Sequence, residues 1–170
     1  MRRVRYQVAM SMDGFISGPN GEIDWITMDP EIDFAEIFEQ FDTLLVGRRT
    51  FDGMVTAGRV SMPGMKTLVF SRTLRQEDHP EVAVVNEHET ETVAALKANS
   101  GKDIWLFGGG LLFRSLAANG LVDTVEVGIV PILLGEGIPL LPTPANRIKL
   151  LLTAHRVYST GVARLEYAIT

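Results

Sequence analysis

The sequence predicts one α/β domain, spanning residues 1–170, with a mostly parallel central sheet. Short apolar segments alternate with segments of helical period through the first two thirds of the chain, as in folds where helices connect parallel strands. The last third instead holds long strand-like runs, two of them joined across a turn at 159–161, which predicts antiparallel strands at one sheet edge. Neither a linker nor a repeat divides the 170 residues. These patterns predict about eight strands and about four helices.

The elements can be placed in order along the chain. An alternating, β-rich run predicts the first strand at 4–10, and apolar residues at three- and four-residue steps predict an amphipathic helix at 31–41. Asp29 and Pro30 suit the N-cap and the first position of that helix. Later helices are predicted at 89–98 and 111–118, with a helical turn at 48–55. The later strands are predicted at 42–47, 66–71, 82–85, 103–107, 122–130, 149–159 and 162–169.

Composition excludes several classes of protein. The formal net charge is −5, and no basic patch or aromatic stacking motif points to nucleic acid. The chain has no cysteine, and its three histidines are too scattered to gather on a metal ion. No run of about 18 apolar residues predicts a membrane span, and the N-terminal segment is too weakly apolar for a signal peptide. We therefore expect a cytoplasmic protein with a small-molecule partner, without nucleic acid or membrane.

Three consecutive glycines separate a predicted strand from a predicted helix. The strand ends at Phe107, and Gly108, Gly109 and Gly110 precede the helix at 111–118. A helix that begins in this way directs backbone N–H groups toward the carboxyl edge of the sheet, and the missing side chains let a pyrophosphate approach the main chain. The alternative is a tight strand-to-helix turn that binds nothing, since the spacing fits neither a GxGxxG motif nor a P-loop.

Two other predicted strand ends offer groups that bind phosphate. One strand runs into residues 47–50 (GRRT), and another ends at residues 70–72 (FSR). Guanidinium groups and hydroxyls at helix starts suit phosphate oxygens, although a single such arginine is more often an ordinary solvated side chain. Three such strand ends, at the edge where α/β sheets bind ligands, together predict a dinucleotide site.

Five segments, in this order along the chain, resemble the dihydrofolate reductase-like superfamily. They are 11–16 (SMDGFI), 47–51 (GRRTF), 69–72 (VFSR), 107–110 (FGGG) and 131–137 (PILLGEG). Within that superfamily the chain is more similar to the branch that contains the reductase domain of bacterial riboflavin biosynthesis. The resemblance covers essentially the whole chain, and it implies a single three-layer domain with helices on both sides of the sheet.

The resemblance also implies NADP(H) as the cofactor and assigns roles to residues. The helix start that holds the 2′-phosphate and the pyrophosphate corresponds to Gly47, Arg48, Arg49 and Thr50. The lip beside the adenine, where Arg72 favours NADP over NAD, corresponds to Phe70, Ser71 and Arg72. The turn at the pyrophosphate and the nicotinamide ribose corresponds to Gly108, Gly109, Gly110, Leu111, Leu112 and Phe113, with a cis peptide bond between the first two. Ala9 and Ile16 match the positions that flank the nicotinamide.

Hydride transfer to a C=N or C=O bond usually needs a proton donor beside the nicotinamide. Asp13, at the end of the first strand, is the leading candidate, and the alternative is that Asp13 and Gly14 simply form a turn. Folate reductases carry a carboxylate early in their first long helix, where this chain offers Asp33, with Asp29 and Glu31 nearby. No shared motif fixes any of the three, and Asp29 is better explained as a helix cap.

Five further side chains have two interpretations each. Trp25, Phe34, Phe38 and Met54 either line an apolar pocket for a flat heterocycle or pack in the core, and helical spacing favours the core for the two phenylalanines. Glu126, inside an otherwise apolar strand, either faces solvent on an edge strand or reaches the pocket or a partner subunit.

The resemblance implies an NADPH-dependent reductase that transfers hydride to a small heterocyclic or carbonyl substrate. Two alternatives stay open: a true dihydrofolate reductase, and a non-catalytic NADP(H)-binding protein. A homodimer is expected because the C-terminal strands and segment 131–142 (PILLGEGIPLLP) would expose more apolar surface than a monomer usually tolerates. In related proteins this region takes part in dimerisation.

Overall fold

The computed structural model describes residues 1–170, which form ten strands and four α-helices. The helices are α1 (Phe34–Glu39), α2 (Arg48–Thr56), α3 (Glu89–Ala98) and α4 (Gly110–Ala118). The strands are β1 (Val4–Ser11), β2 (Phe15–Ser17), β3 (Phe41–Gly47), β4 (Lys66–Phe70), β5 (Ala83–Val85), β6 (Asp103–Gly108), β7 (Thr124–Val130), β8 (Ile138–Pro139), β9 (Leu150–Val157) and β10 (Ala163–Ile169). Eight strands form the central sheet in the order β5-β4-β3-β6-β1-β7-β10-β9, and β2 pairs with β8 in a separate two-stranded sheet.

The first six strands in this order, β5-β4-β3-β6-β1-β7, are parallel to one another. Strands β10 and β9 then extend the sheet as antiparallel strands. This arrangement confirms the predicted fold class. The parallel strands are short apolar runs without alternation, as in Leu44-Leu45-Val46, where all three side chains are inaccessible to solvent because both faces of the sheet are covered. Since the carboxyl ends of parallel strands lie at one edge, the segments after β3, β4 and β6 come together there.

Each face of the sheet has its own apolar core. One core contains Tyr6 of β1 with Val93 of α3 and Phe113 of α4, and the Tyr6 and Phe113 rings stack with 4.1 Å between centroids. The other core contains Ile37 of α1 and the α2 side chains Phe51 and Met54. The helices therefore lie in two layers, with α3 and α4 on one side of the sheet and α1 and α2 on the other, which confirms the three-layer prediction.

Helix α1 is shorter than predicted, because Asp29 does not cap it. The Asp29 carboxylate is 1% exposed and accepts hydrogen bonds from the Glu31 N–H at 2.8 Å and from the Thr160 N–H at 3.0 Å and hydroxyl at 2.6 Å. Asp29 thus ties this segment to the turn between β9 and β10. Asp33 is the N-cap instead, and its carboxylate accepts from the Glu36 N–H at 3.0 Å. The prediction that Asp29 caps the helix was wrong.

Other differences from the predicted elements are small. Segment 48–55 forms a nine-residue helix, α2, rather than a single turn. Strands β2 and β8 were not predicted, since three and two residues carry no periodic signal. None of the helices has the length and apolar character that crossing a bilayer requires.

Candidate cofactor site and active site

Two helices begin directly at the carboxyl ends of neighbouring strands. Helix α2 begins after Gly47 at the end of β3, and α4 begins after Gly109 at the end of β6. Neither N-cap glycine has a side chain to satisfy the first N–H groups of its helix. Both helices therefore present unpaired backbone donors and the positive end of their dipoles at this edge, which is the chemistry that binds phosphate.

The two helix starts lie against each other. A Cβ at Gly47 would be 3.5 Å from the backbone nitrogen of Gly109, and a Cβ at Gly109 would be 3.3 Å from Oγ1 of Thr50. A Cβ at Gly108 would be 3.4 Å from the same hydroxyl. Four residues that the resemblance assigns to the cofactor are thus within contact distance of one another. The peptide bond between Gly108 and Gly109 is cis, which confirms that part of the prediction.

Gly110 lacks a side chain for a different reason. A Cβ there would be 2.7 Å from Cδ of Pro142 and 2.8 Å from the carbonyl oxygen of Pro139. Strand β8 and the loop after it, which carry these two prolines, therefore pack directly on the start of α4. The third glycine is required by contact within the protein, whereas the first two have only Thr50 nearby, and Gly108 also has a φ of 150°, which favours glycine. The binding role of the Gly110 N–H group stays a prediction.

The predicted cofactor arginines differ in their freedom to bind a ligand. The Arg48 guanidinium forms an ion pair with Asp52 one turn along α2, with Nε–oxygen distances of 2.8 and 2.9 Å. Arg49 and Arg72 are exposed and have no carboxylate partner. Arg49 and Arg72 can therefore contact an incoming phosphate without first breaking an ion pair.

Arg72 lines a polar cleft of about 400 Å³ at the ends of β4 and β5. The Ser71 hydroxyl accepts a hydrogen bond from the Leu74 N–H at 3.1 Å, so it also shapes the turn that holds Arg72. Asn86 donates to the Ser71 carbonyl at 2.7 Å. Sequence reasoning missed Asn86, because the three-residue strand before it gave little sign that its end belonged to the site. The other lining residues are Phe70, Val85, Glu87, His88, Glu89, Thr90 and Ser115.

The predicted hydrophobic cofactor contacts on α4 are divided between surface and core. Leu111 is 56% exposed, while Leu112 and Phe113 are buried in the core that α4 shares with the sheet. Only Leu111 therefore offers its side chain to a ligand. Ala9 and Ile16 are half-buried on β1 and β2, at the side of the sheet edge where the chain leaves β1.

Asp13 joins two loops. Its carboxylate accepts hydrogen bonds from the Ser11 hydroxyl at 2.6 Å, from the Gly135 N–H at 2.7 Å and from the Leu134 N–H at 3.1 Å. These bonds, that from Ser11 above all, lower the pKa of the Asp13 carboxyl to about 2. The group is ionised at neutral pH and lies in the turn after β1, which supports the alternative turn interpretation. A catalytic role for Asp13 stays a prediction, as does one for the helix cap Asp33.

We expect the hydrogen bonds between the Asp13 carboxylate and the N–H groups of residues 134–135 to be lost only in strong acid. The folded pKa of about 2 lies below the ordinary value of 3.8, so the ionised carboxylate stabilises the folded form above that ordinary value, and the stabilisation disappears as the pH falls toward 2. The amide chemical shifts of Leu134 and Gly135, followed by NMR, should titrate together in this range. Asp13→Asn should abolish the titration, and a midpoint near the ordinary value would contradict the prediction.

The face of the sheet under α1 combines aromatic and charged groups. Trp105 packs against Phe38 and Phe107, with ring centroids 5.8 and 5.4 Å away. Phe34, Phe38 and Met54 belong to the core, as favoured for the two phenylalanines, whereas Trp25 packs beside Tyr158.

Glu126 of β7 is 3% exposed, and both its oxygens accept from the Arg5 guanidinium, at 2.7 and 2.8 Å. The solvent-facing interpretation of Glu126 was therefore wrong. Burial by itself lowers the pKa of Arg5, but the hydrogen bond and the charge of Glu126 outweigh burial and raise the pKa.

The sheet, the three layers and the paired helix starts define a protein with the dihydrofolate reductase-like fold. Dihydrofolate reductase from Enterococcus faecalis, complexed with NADP(H), superposes with a TM-score of 0.70 at 21% identity, over 99% of this chain and 96% of that chain. The RibD C-terminal domain family matches residues 2–164, and the chain belongs to that family. Membership supports a reductase-type function.

Two further proteins are similar over nearly their whole length. "Uncharacterized protein YyaP" from Bacillus subtilis is 39% identical over an alignment 178 residues long, gaps included. That alignment covers 98% of this chain and 94% of that protein. A crystal structure of a protein from Shewanella sp. PV-4, whose name refers to riboflavin biosynthesis, superposes with a TM-score of 0.82 at 25% identity. That similarity covers 100% of this chain and 99% of the Shewanella chain.

Proposed function

We propose that the protein is an NADPH-dependent reductase that transfers hydride to a small heterocyclic or carbonyl substrate. The observation that carries the proposal is the contact between the starts of α2 and α4, where Gly47, Thr50, Gly108 and Gly109 surround backbone donors suited to a pyrophosphate. NADPH, when bound, supplies the hydride. The chain binds and orients it: the two helix starts hold the pyrophosphate, and Ala9 and Ile16 flank the nicotinamide. The NADP(H) complex of the Enterococcus relative supports the choice of cofactor.

We expect NADPH to bind more tightly than NADH. The 2′-phosphate gains charge-assisted hydrogen bonds from Arg72 and Arg49, neither of which has another partner, and each such bond contributes roughly 1.5–3 kcal/mol. Arg72→Ala should therefore raise the Kd for NADPH about tenfold to hundredfold and leave NADH binding unchanged. Titration of both cofactors, followed by nicotinamide fluorescence, measures this difference.

The matched control is Arg59→Ala, which removes an exposed arginine just beyond the far end of α2. It should bind NADPH like the parent protein. Equal affinities of the parent protein for NADPH and NADH would contradict the assignment of the 2′-phosphate site.

A non-catalytic NADP(H)-binding protein is the second candidate, and the state of Asp13 favours it. With its pKa near 2 the carboxyl carries no proton to donate at neutral pH, and Asp33 is occupied as a helix cap. Turnover then needs a proton from water or from the substrate's surroundings. Oxidation of NADPH with any carbonyl or imine acceptor would decide for the reductase, and an assay with dihydrofolate would test the remaining alternative.

We further propose that the protein is a homodimer joined through β9. This edge strand is exposed along its whole length and carries Leu150, Leu151, Leu152 and Val157, which are 44–71% exposed. An apolar edge with unpaired backbone groups favours pairing with another chain. Segment 131–142 contributes less than expected, because Leu140 and Leu141 pack against the protein's own core.

Sedimentation should therefore give a species of twice 18.7 kDa at micromolar concentration. Leu151→Lys places a charge on the exposed strand and should shift the protein to the monomer, whereas Val55→Lys, at an exposed valine near the end of α2, should not. A single species near 18.7 kDa for the parent protein would exclude the dimer.

A further inference from the structure

Two rows of side chains cross β1, β7 and β10 on the side of the sheet where α1 lies. Gln7, Glu126 and Glu166 pair across β1, β7 and β10, and the next row along β1 is Ala9, Gly128 and Arg164. Residues that pair across strands, and residues two apart on one strand, lie on the same face of a sheet. This is the side of the sheet on which α1 lies, since Arg5 pairs with Trp105, and Trp105 packs against Phe38. We refer to the six residues of these two rows as the acceptor face.

Two apolar walls border the acceptor face. One wall is the cluster of Phe38, Trp105 and Phe107, and the other contains Trp25 and Tyr158. The row of Ala9 and Gly128 has almost no side chain. A Cβ at Gly128 would meet only Cγ1 of Val162, at 3.9 Å, so packing does not require a glycine there. Ile32 packs against both clusters. The sheet surface at Ala9 and Gly128 is low beside these aromatic walls, which suits a flat molecule.

The charges on and beside the acceptor face cancel. Four guanidinium groups are each paired with a carboxylate, at nitrogen–oxygen distances of 2.6–2.8 Å; the pairs are Arg3–Asp103, Arg5–Glu126, Arg156–Glu31 and Arg164–Glu166. The buried carboxylate of Asp29 adds a further negative charge to the segment that covers this face. A phosphate here would find no guanidinium group whose charge is not already balanced by a carboxylate, and it would approach several carboxylates.

Two buried polar atoms on this face, one acceptor and one donor, lack hydrogen-bond partners. Oε1 of Gln7 and Nε of Arg164 are inaccessible to solvent and have no hydrogen-bond partner. The first accepts a hydrogen bond and the second donates one, and an amide edge offers both an N–H and a C=O. Strands β1 and β10 flank β7, so their backbones are about 9.5 Å apart, a span that two side chains and a flat heterocycle can bridge. Neighbouring groups cover both atoms, so a ligand reaches them after rotation of the side-chain torsions.

We infer that the acceptor of this chain is an uncharged, flat heterocycle with an amide edge and without a phosphate group. Gln7 and Arg164 bind the amide edge, the aromatic walls contact the ring faces, and the paired charges exclude a phosphorylated ligand. This inference rests on the proposed function, since it concerns the substrate of the same site.

Uridine and uridine 5′-monophosphate form a matched pair of probes, because they share an amide-edged ring and differ only in the phosphate. We expect uridine to bind the NADP⁺-saturated protein at least about tenfold more tightly than the monophosphate, measured by protein-observed NMR. The side-chain amide signal of Gln7 should shift on addition of uridine. Equal or tighter binding of the monophosphate would contradict the inference that the ligand carries no phosphate group. Binding of neither probe would contradict the inference that this face binds an amide edge.

Two substitutions test the two parts of the inference separately. Gln7→Met keeps the side-chain length and should weaken uridine binding about tenfold while NADPH binding persists. Glu166→Gln removes the carboxylate that pairs with Arg164 and should reduce the ratio of the monophosphate Kd to the uridine Kd. The control is Glu36→Gln, at an exposed carboxylate on α1, which should leave that ratio unchanged. If Gln7→Met fails to fold, the Glu166→Gln comparison still decides the charge argument.

The same samples separate this inference from the proposed function. A protein that binds NADPH but prefers the monophosphate refutes the inference alone. A protein that binds no NADPH refutes the proposed function, and the inference with it.

Discussion

Replacing Gly109 with alanine is expected to abolish NADPH binding while the protein stays folded. The new Cβ would lie 3.3 Å from the Thr50 hydroxyl, in the gap between the starts of α2 and α4. The hydroxyl can move by a few tenths of an ångström, so the cost to the fold is small. A pyrophosphate that approaches the N–H groups of α4 has no comparable freedom, because the added methyl group occupies its path. We expect the Kd for NADPH to rise at least about a hundredfold.

Gly53→Ala is the matched control for this substitution. Gly53 lies within α2, and a Cβ there would meet no atom within 4 Å. That variant should bind NADPH normally and should be slightly more stable, since alanine favours a helix interior over glycine. Calorimetric titration of both variants, with circular dichroism to confirm folding, measures the difference. If folded Gly109→Ala binds NADPH like the parent protein, the paired helix starts are only a turn, and the cofactor site lies elsewhere.

The sequence predicted the sheet well because its signals are local. Buried parallel strands appear as unbroken apolar runs, such as Leu44-Leu45-Val46. Helices α3 and α4 were found within one residue of their predicted bounds. The switch to antiparallel strands was visible in the turn at 159–161. Each of these features depends on residues close together in the chain.

Long-range contacts account for the errors. Asp29 has the local features of a helix cap, but it bonds to Thr160, which is 131 residues away. That contact could not be found from the residues around Asp29, and it leaves α1 to begin at Phe34 with Asp33 as the cap. Likewise, Glu126 interrupts an apolar strand, and only the strand order places Arg5 opposite it.

The candidate site likewise has one part that local sequence predicts and another part that depends on long-range contacts. The candidate cofactor site could be predicted because its glycines and arginines follow the ends of β3, β4 and β6, and parallel strands bring such ends together. The acceptor face could not, because Gln7, Glu126 and Glu166 come from three strands whose neighbours and register are known only from the folded sheet. The local sequence of β7 and β10 shows alternating polar residues, and that alternation is the signal from which their common face could have been suspected.

Replacing Gly110 with alanine is expected to destabilise the protein itself, in contrast to the neighbouring substitution. The Cβ would lie 2.7 Å from Cδ of Pro142 and 2.8 Å from the carbonyl oxygen of Pro139. A proline ring and a backbone oxygen cannot rotate away, so the loop or α4 must shift. Overpacking of this kind costs about 1–3 kcal/mol of the free energy of unfolding. The loop also closes the sheet of β2 and β8, so the effect should spread to that sheet.

Urea unfolding measures the predicted loss, and a double-mutant cycle identifies its cause. Pro142→Ala removes the ring atom that clashes, so the double variant Gly110→Ala/Pro142→Ala should be more stable than the sum of the two single effects predicts. The Pro139 oxygen still lies close in the double variant, so recovery should be partial. Strict additivity, or an unchanged midpoint for Gly110→Ala, would show that the loop is not packed on the start of α4. The third glycine would then need the explanation that we propose for the first two, namely close approach of the cofactor to the backbone.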